Sequence, residues 1–550
     1  MFFHIRKKCC IFASKINIYI KIKNFIKLLT ARLTEDKNWI LVEGDVAEVR
    51  QLRLCFTKKI PSWFIIKSKN PNAVVEENFM NNFGLIPVGL WIELINSCTR
   101  FGYQISFVDD FDKKIRNQNI SYDTFNEYIT RLFQNSKITP RDYQIDGVYK
   151  MIEFMRCCVE VSTSGGKTLM AYMLFRFMKD FLHFNHILFI TPKTNLTTQS
   201  ANKFVEYDQT NQMLTDWTYN EVHAKAKKKE SYDENIVFGN YQSLCRKNNE
   251  FFEKFDAVII DECHHATSPS IRKIVRKCLN AKYKLGMTGT FPADDSYDSF
   301  VLSSYVGPVV FRLPSYELIE NKKSATPVYI NSFILKYLDY ETLNGLYKIR
   351  SVSKSDDPTI GNRILAKEKE IVRDSTLRLS YICDMIGKTT KNTLVIFSDV
   401  ENGYGKKIYD RVRETTDKTC FYIDGNTSTS VRDEMKQHME DDIDGNTVMV
   451  ASMGCFSEGI DISNLWNIFL VETTKSDTIL AQILGRGMRK FEGKDKTIMI
   501  DFVDDFRFGG GYYNDNYLFR HGMERIEIYK RRGFPCNTFE INLTQKSLFN

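Results

Sequence analysis

The residues with the clearest capacity for chemistry are a lysine and a threonine at the end of a glycine-bearing loop. Residues 162–168 read STSGGKT, between a short strand-like run at 158–161 and an apolar segment that extends to about residue 184. A strand, such a loop and a helix form a cradle in which backbone N–H groups and the helix N-terminus face a phosphate. The lysine would reach the β- and γ-phosphates of a nucleotide, and the threonine hydroxyl would bind Mg²⁺. The residues predicted to form this cradle are Ser164, Gly165, Gly166, Lys167 and Thr168.

An acidic pair strengthens the interpretation as a phosphate site. Asp261 and Glu262 follow the buried-strand pattern of residues 256–260, and α/β sheets bind ligands at the carboxyl ends of their parallel strands. Asp261 would hold Mg²⁺, and Glu262 would polarise the attacking water. The next three residues, CHH, offer a zinc site as a second reading. Three consecutive side chains, however, do not easily converge on one tetrahedral ion.

Two features allow another interpretation of the phosphate motif when it is taken alone. The common pattern GxxxxGK[ST] has glycine where this chain has Val161, so a chance turn is the competing interpretation. A third loop at 285–292, LGMTGTFP, places small hydroxyl residues where the chain could touch a γ-phosphate, although a β-turn rich in threonine and glycine would look the same. The order of the three loops along the chain decides in favour of the phosphate site.

Loops of this kind need parallel strands to position them, and the chain is long enough for several domains. At 550 residues we expect three or four. Hydrophobic residues at 43% and charged residues at 26% exclude wholesale disorder. No apolar stretch has the length of a membrane-spanning helix. The 13 cysteines are scattered without any CxxC pair, which favours free thiols in a reducing compartment over a disulfide framework or a zinc ribbon.

The net charge of +8 comes entirely from the first residues of the chain. Residues 1–34 hold eight basic residues and no acidic one, which leaves 68 basic and 68 acidic residues in the rest of the chain. A nucleic-acid surface beyond this segment must therefore be a local patch. The segment itself allows three readings: a transit peptide, a nucleic-acid-binding arm, or a strand with one charged face. The alternation of isoleucine with polar residues over 16–23 favours the strand.

With these loops in this order, the chain resembles the superfamily-two helicases and translocases. In the first half, RDYQ at 141–144, ILFITPK at 187–193 and FGNYQSL at 238–244 resemble further motifs of that family. In the second half, SEGIDI at 457–462 and QILGRGMR at 482–489 do the same. A solvent-exposed basic helix would not explain why the last motif falls at the expected distance after SEGIDI.

The resemblance implies an α/β fold with two tandem RecA-like domains, each a parallel sheet flanked by helices, and ATP clamped between them with Mg²⁺. A small α/β N-terminal domain that could bind duplex DNA would precede them. The predicted domains are 1–135 for that N-terminal domain, 136–325 for the ATP-binding domain, 326–510 for the second RecA-like domain, and 511–550 for a C-terminal tail packing on it.

The resemblance also implies roles for individual residues. Gln144 would read the adenine edge, and Gly459 and Asp461 would face the nucleotide, with the aspartate toward the ribose. The two arginines of QILGRGMR would act across the cleft as arginine fingers that stabilise charge on the γ-phosphate. The predicted catalytic residues are Asp261, Glu262, Gln482, Arg486 and Arg489.

Contacts to nucleic acid should fall mainly on backbone phosphates, because a motor moves over any sequence. The candidates are Thr191, Tyr241 and Ser452. A lysine cluster formed by Lys225, Lys227, Lys228 and Lys229 could support them, or it could be a solvated helix face.

SMGCFSEGIDISNL, QILGRGMRK and IDFVDDF together look like the phage recombination helicases of the UvsW type, which predicts a DNA helicase that remodels branched or duplex DNA in the host cytoplasm. An RNA helicase and the motor subunit of a restriction system stay open as alternatives. A non-hydrolysing clamp is disfavoured, because it would need neither Glu262 nor the paired arginines. Protein partners cannot be predicted from the sequence.

Overall fold

The computed structural model describes the chain apart from residues 1–27, 214, 227–231, 322–323, 339–345, 347–359, 399, 458–461, 473, 475, 508–515 and 545–550. The strand predicted within 16–23, three of the four clustered lysines (Lys227, Lys228 and Lys229), and Gly459 and Asp461 lie outside the described residues.

A small α/β unit forms the N-terminal part of the described chain. Its four-stranded sheet has the order β5-β2-β1-β6, and β3 and β4 form a separate antiparallel pair. The elements are β1 (Leu28–Leu33), β2 (Trp39–Glu43), α1 (Val46–Cys55), β3 (Thr57–Lys59), α2 (Trp63–Lys69), β4 (Glu76–Asn78), β5 (Leu85–Pro87), α3 (Trp91–Phe101), β6 (Gln104–Phe107), α4 (Phe111–Ile115) and α5 (Tyr122–Leu132).

The first large sheet has seven parallel strands in the order β13-β7-β12-β11-β8-β10-β9. Strands β8, β10 and β12 are buried along their whole length, because helices cover both faces of a parallel sheet. The elements are α6 (Asp142–Phe154), β7 (Arg156–Val161), α7 (Lys167–Asp180), β8 (Ile187–Thr191), α8 (Thr194–Thr210), β9 (Tyr219–Val222), β10 (Ile236–Asn240), α9 (Tyr241–Leu244), α10 (Asn249–Glu253), β11 (Ala257–Asp261), α11 (Pro269–Lys277), β12 (Tyr283–Thr288), α12 (Tyr297–Tyr305) and β13 (Val309–Leu313).

A second seven-stranded parallel sheet follows, in the order β16-β17-β15-β18-β19-β14-β20. The elements are β14 (Val328–Tyr337), α13 (Ile360–Asp374), α14 (Thr376–Gly387), β15 (Thr393–Phe397), α15 (Tyr404–Thr415), β16 (Thr419–Ile423), α16 (Thr429–Asp441), β17 (Thr447–Ser452), α17 (Met453–Ser457), β18 (Asn467–Leu470), α18 (Asp477–Gly487), β19 (Thr497–Asp505), α19 (Tyr517–Arg531) and β20 (Cys536–Leu543). The predicted fold class, two tandem parallel sheets after a small α/β region, is confirmed.

The C-terminal segment is part of the second sheet. Strand β20 pairs in parallel with β14 from Ile330 opposite Cys536 to Tyr337 opposite Leu543. It is the outermost strand on that side. In the part of the tail that the structure describes, β20 extends the sheet at its edge, and helix α19 packs on β19, with Gly522 against Val503.

Two of the three acidic residues of IDFVDDF have structural partners on neighbouring helices. Arg525 of α19 donates to Asp501 at 2.8 Å, and Arg378 of α14 donates to Asp504 at 2.8 Å. All four side chains are buried. Because a buried charge without its partner is strongly destabilising, these pairs hold two helices to β19.

The N-terminal unit packs on helix α12 of the first large domain. Phe300 of α12 lies in the apolar core of that unit. Gly89 lies against the carbonyl oxygen of Ser303 and leaves no space for a Cβ atom, while Lys58 Nζ is 2.5 Å from the carboxylate of Asp295. The N-terminal unit is therefore fixed to the domain that carries the phosphate loop. Among the described residues, no helix has both the length and the apolar character that crossing a membrane requires.

Candidate active site

The phosphate loop joins β7 to α7 at the carboxyl edge of the first sheet. Strand β7 ends at Val161 and α7 begins at Lys167, so the loop between them opens onto the N-terminus of a 14-residue helix. Gly166 has φ of +80°, and Ser164 has φ of +71°. A non-glycine residue in this left-handed region costs roughly 1–2 kcal/mol. The Ser164 hydroxyl makes an offsetting hydrogen bond, 2.8 Å to the carbonyl oxygen of Gly485.

Gln144 is hydrogen-bonded to the phosphate loop. Its Nε2 donates to the carbonyl oxygen of Gly165 at 3.0 Å, and its Oε1 accepts from the backbone N–H of Arg141 at 2.9 Å. A Cβ atom at Gly166 would overlap the Gln144 amide, so glycine is required there on steric grounds as well. Both ends of the amide are thus engaged within the protein, and Arg141 rather than Gln144 lines the adjoining cleft. Recognition of adenine by Gln144 stays a prediction.

The acidic pair lies beside the lysine, because β11 and β7 both flank β12 in the sheet. Lys167 Nζ is 3.8 Å from Glu262 Oε1 and donates to the carbonyl oxygen of Val161 at 3.3 Å. Burial raises the pKa of Asp261, and the neighbouring Glu262 raises it further. Burial also acts to raise the pKa of Glu262, but the net shift is downward, and the positive charge of Lys167 is the main cause that lowers it. Glu262 is therefore the member of the pair that is held ionised.

His264 links the acidic pair to the third loop. Its Nδ1 is 2.9 Å from Thr288 Oγ1 and 3.4 Å from Glu262 Oε2. The Thr288 hydroxyl donates to the carbonyl oxygen of Thr290, so Nδ1 is the nitrogen that carries the proton. Burial lowers the pKa of His264 to about 4, and the imidazole is therefore neutral at pH 7. Cys263 points elsewhere, with its Sγ 3.9 Å from that of Cys158.

A cleft of about 880 Å³ brings the two halves of the chain together. From the first sheet come Ser164, Gly166, Lys167, Thr168, Asp261 and Glu262, and from the second come Gln482, Arg486 and Arg489. Burial lowers the pKa of Arg486 to about 10, an effect that the charge of Glu262 opposes. Burial likewise lowers the pKa of Arg489 to about 10, and there the opposing charge is Glu440. Both arginines line the cleft, and the carboxylate that acts on the pKa is Glu262 for Arg486 and Glu440 for Arg489.

The two large domains contact each other at Gly485. A Cβ atom at this position would overlap the side chain of Thr163 in the phosphate loop. Because the Ser164 hydroxyl donates to the carbonyl oxygen of the same residue, the loop is seated directly on helix α18. The glycine of QILGRGMR thus allows the arginines to approach the phosphate loop.

Replacing Gly485 with alanine should reduce ATP turnover about tenfold or more without lowering the unfolding temperature, since the added methyl group blocks closure of the cleft. Alanine is favoured over glycine in a helix by about 1 kcal/mol, so stability and activity should change in opposite directions. Steady-state ATPase and thermal unfolding check this. Gly425→Ala is the matched control, because a Cβ atom there meets open space. Full activity of Gly485→Ala would contradict the packing argument.

The oxygen ligands at the cleft fit Mg²⁺ better than zinc. Thr168 offers a hydroxyl and Asp261 a carboxylate, both hard donors, and Mg²⁺ is commonly bound by one or two carboxylates together with substrate phosphates. Within the described residues no group of three or more histidine, cysteine, aspartate or glutamate side chains could hold a metal ion. A nucleotide would therefore complete the coordination of the ion.

Two of the three predicted nucleic-acid contacts are buried in this structure, which does not support that part of the prediction. Thr191 is 1% exposed, and its hydroxyl is 2.6 Å from that of Thr197. Ser452, at the end of β17, is 3% exposed. Tyr241 is half-buried at the start of α9. Burial at strand ends is the physical reason, because only the loops beyond those ends reach the surface.

Sequence reasoning missed a buried lysine behind the arginines. Lys494 Nζ donates to the carbonyl oxygens of Gly487 at 2.9 Å and Arg489 at 3.0 Å, and more weakly to that of Ser463 at 3.3 Å. Burial lowers the pKa of Lys494 to about 7. Glu440 accepts from the backbone N–H of Ser463 at 2.5 Å. This network joins the C-terminal end of α18 to the segment that follows SEGIDI. The sequence signal for the lysine is one GK pair shortly after the second arginine.

Comparison with known proteins agrees with this geometry. Residues 137–293 match the family model described as the res subunit of type III restriction enzymes, and residues 377–491 match the helicase conserved C-terminal domain. The first match contains the phosphate loop and the acidic pair, and the second contains Arg486 and Arg489. The chain is therefore an ATP-dependent helicase whose two matched domains are similar to those of the superfamily-two helicases.

Within that class it is similar to the ATP-dependent DNA helicase UvsW of Enterobacteria phage T4, with 28% identity over 471 residues that cover 84% of this chain and 88% of that protein. The crystal structure of T4 UvsW aligns with 24% identity over 94% of this chain and all of that one, with a TM-score of 0.45. The type ISP restriction-modification enzyme LlaBIII shares the fold at 15% identity, over 83% of this chain and 36% of that one, with a TM-score of 0.54.

Proposed function

We propose that the chain is an ATP-dependent DNA helicase that remodels branched or duplex DNA, acting in the host cytoplasm during phage-type recombination or replication. The observation that carries the proposal is the cleft in which Lys167 and Glu262 of one RecA-like domain meet Arg486 of the other. The DNA preference rests on the similarity to T4 UvsW.

In this proposal the two domains divide the work of hydrolysis. The phosphate loop and Lys167 bind the triphosphate, and the ionised Glu262 orients the attacking water. Bound Mg²⁺, held by Thr168 and Asp261, would neutralise charge on the phosphates. Arg486 and Arg489 add positive charge only when the cleft is closed, so hydrolysis and domain closure are coupled. Each cycle would change the spacing between the nucleic-acid grips on the two domains.

The neutral His264 supplies a route from this chemistry to the third loop. It contacts both Glu262 and Thr288, so a structural change at the γ-phosphate would be transmitted to the segment that leads to α12. The N-terminal unit is packed on that helix. Hydrolysis and the position of the N-terminal unit are thus connected through named contacts.

The test is the steady-state ATPase rate of the purified chain without nucleic acid and with single-stranded DNA, duplex DNA, a branched junction and RNA. Strongest stimulation by the junction or the duplex, followed by strand separation in a gel assay, is the expected result. Stimulation by RNA alone would replace the proposal with an RNA helicase. Translocation on duplex without strand separation would favour the motor of a restriction system. No turnover on any substrate would overturn the motor.

A further inference from the structure

Helix α11 presents a cationic face outside the nucleotide cleft. Its buried side is apolar, formed by Ile271, Ile274 and Val275. Its sequence PSIRKIVRK contains no acidic residue. The four basic side chains on its outer side are Arg272, Lys273, Arg276 and Lys277.

These four cations line a groove of about 590 Å³ between the first large domain and the N-terminal unit. In the described part of the chain, no carboxylate lies within 4 Å of any of them. The acidic residue in the lining, Glu77, accepts a hydrogen bond from Tyr297 at 2.6 Å. The groove therefore carries four cations against Glu77 in its lining and Asp298 near Arg272, a net positive patch on a chain that is neutral beyond residue 34.

Two of the cations are held in place by the protein. The Arg276 guanidinium lies 4.9 Å from the ring centroid of Tyr305 and donates to its hydroxyl. Lys277 Nζ donates to the carbonyl oxygen of Lys247 at 2.8 Å. Neither partner carries a negative charge, so both cations keep their full charge toward the groove. Lys273 is exposed.

We propose that this groove, the α11 groove, binds the phosphate backbone of a duplex arm of the DNA substrate; the inference rests on the proposed function. The ligand chemistry follows from the lining. Arginine, lysine, asparagine and tyrosine side chains are the groups that contact DNA phosphates, and the groove combines the four cations with Asn249 and Tyr305. A duplex carries about one negative charge per 1.7 Å of axis, so several cations along one helix can engage it together.

The position of the groove explains how DNA would affect hydrolysis. Glu262 is followed directly by a 3₁₀ helix, Cys263–Thr267, and α11 begins two residues later at Pro269. A ligand bound along α11 therefore acts on the same continuous segment that carries the water-orienting glutamate. Glu77 of the N-terminal unit borders the groove, and Lys58 and Tyr297 connect that unit to the first large domain.

The experiment removes two charges from the exposed side of α11 in the full-length chain, as Lys273→Gln with Arg276→Gln. Lys406→Gln with Lys407→Gln is the matched control, since these adjacent lysines of α15 are also exposed. Binding of a fluorescent 40-base-pair duplex is measured by anisotropy across a range of salt concentrations, together with ATPase at increasing duplex concentration. Unfolding temperatures establish that both variants are folded.

The α11 variant should bind duplex about tenfold more weakly. The salt slope, which is the slope of the logarithm of the binding constant against the logarithm of the salt concentration, should be smaller in magnitude by about 1.8, because each lost phosphate contact reduces it by about 0.9. Its ATPase without DNA should equal that of the unmodified chain. The control should change neither duplex affinity nor slope to this extent. Because Arg276 contacts Tyr305, the single variant Lys273→Gln serves as a second test, with about half the change in slope.

Duplex affinity and salt slope equal to those of the unmodified chain would overturn the α11 groove while leaving the helicase proposal in place. A different result would be that the variant binds duplex more weakly while no nucleic acid stimulates the ATPase of the unmodified chain. That result would support the α11 groove as a duplex-binding site and would overturn the helicase proposal. If a polyglutamate peptide bound as tightly as the duplex and the variant lost both, the groove would belong to an acidic peptide and the duplex assignment would fail.

Discussion

Lys167→Met should reduce the ATPase rate by roughly 10³-fold while the chain remains folded and continues to bind DNA. Phosphoryl transfer depends almost entirely on positioning and on stabilising charge, and one well-placed donor contributes a factor of about 10² to 10³. Lys167 lies at the first turn of α7, 3.8 Å from Glu262, so its removal takes away both the phosphate contact and the positive charge that lowers the pKa of that glutamate. Steady-state hydrolysis at saturating ATP and DNA measures the loss.

The same cleft offers a control for this substitution. Lys203 also lines it, but its Nζ is engaged by Glu206 at 2.8 Å and 2.9 Å on the same helix. Lys203→Met removes an equal charge from the cleft and should leave hydrolysis within a few-fold of the unmodified rate. If both variants lost activity equally, the loss would reflect the net charge of the cleft. Retained turnover in Lys167→Met would remove the phosphate-loop assignment.

The nucleotide side of the site was predictable because its chemistry is local in sequence. Lys167 and Thr168 follow a strand and open a helix, and that arrangement can be read from fewer than twenty residues. Asp261 and Glu262 follow an apolar strand in the same way. Since parallel strands present their carboxyl ends at one edge, the sequence also predicts that these loops converge.

Features that depend on contacts between distant segments were not predictable in this way. Gly485 is needed because Thr163 packs against it, more than 300 residues earlier in the chain. Gln144 donates from its amide to a loop carbonyl oxygen, and Lys494 donates to three backbone carbonyl oxygens that its GK pair alone does not reveal. The burial of Thr191 follows from the packing of α8 against its strand, which composition does not reveal.

The same distinction applies to surface charge. The sequence established that any nucleic-acid surface beyond residue 34 must be a local patch, but its position could not be assigned. The four basic residues of α11 alternate with apolar ones at helical spacing, which is typical of any amphipathic surface helix. Only the fold shows that these cations line one groove, that no described carboxylate lies within 4 Å of them, and that Glu77 of the N-terminal unit borders the groove.

Arg486→Ala should lower the rate of ATP hydrolysis by about 10³-fold or more, with a much smaller change in ATP affinity. An arginine finger stabilises charge that develops in the transition state and is worth a factor of about 10³ to 10⁵. Glu262 of the opposite domain is the carboxylate that acts on the pKa of Arg486, whereas Glu440 of the same domain acts on that of Arg489. We therefore expect the rate to depend more steeply on Arg486 than on Arg489.

Single-turnover hydrolysis and equilibrium binding of a fluorescent ATP analogue separate the two effects. Lys490→Ala is the control, because Lys490 lines the same cleft and carries the same charge. Arg486→Lys keeps the charge but loses the planar donor pair, so it should recover a small part of the rate if two oxygens are engaged at once. An equal loss of affinity and rate in Arg486→Ala would instead make Arg486 a ground-state binding residue. The closure of Gly485 on Thr163 would then serve to bind ATP rather than to assemble the transition state.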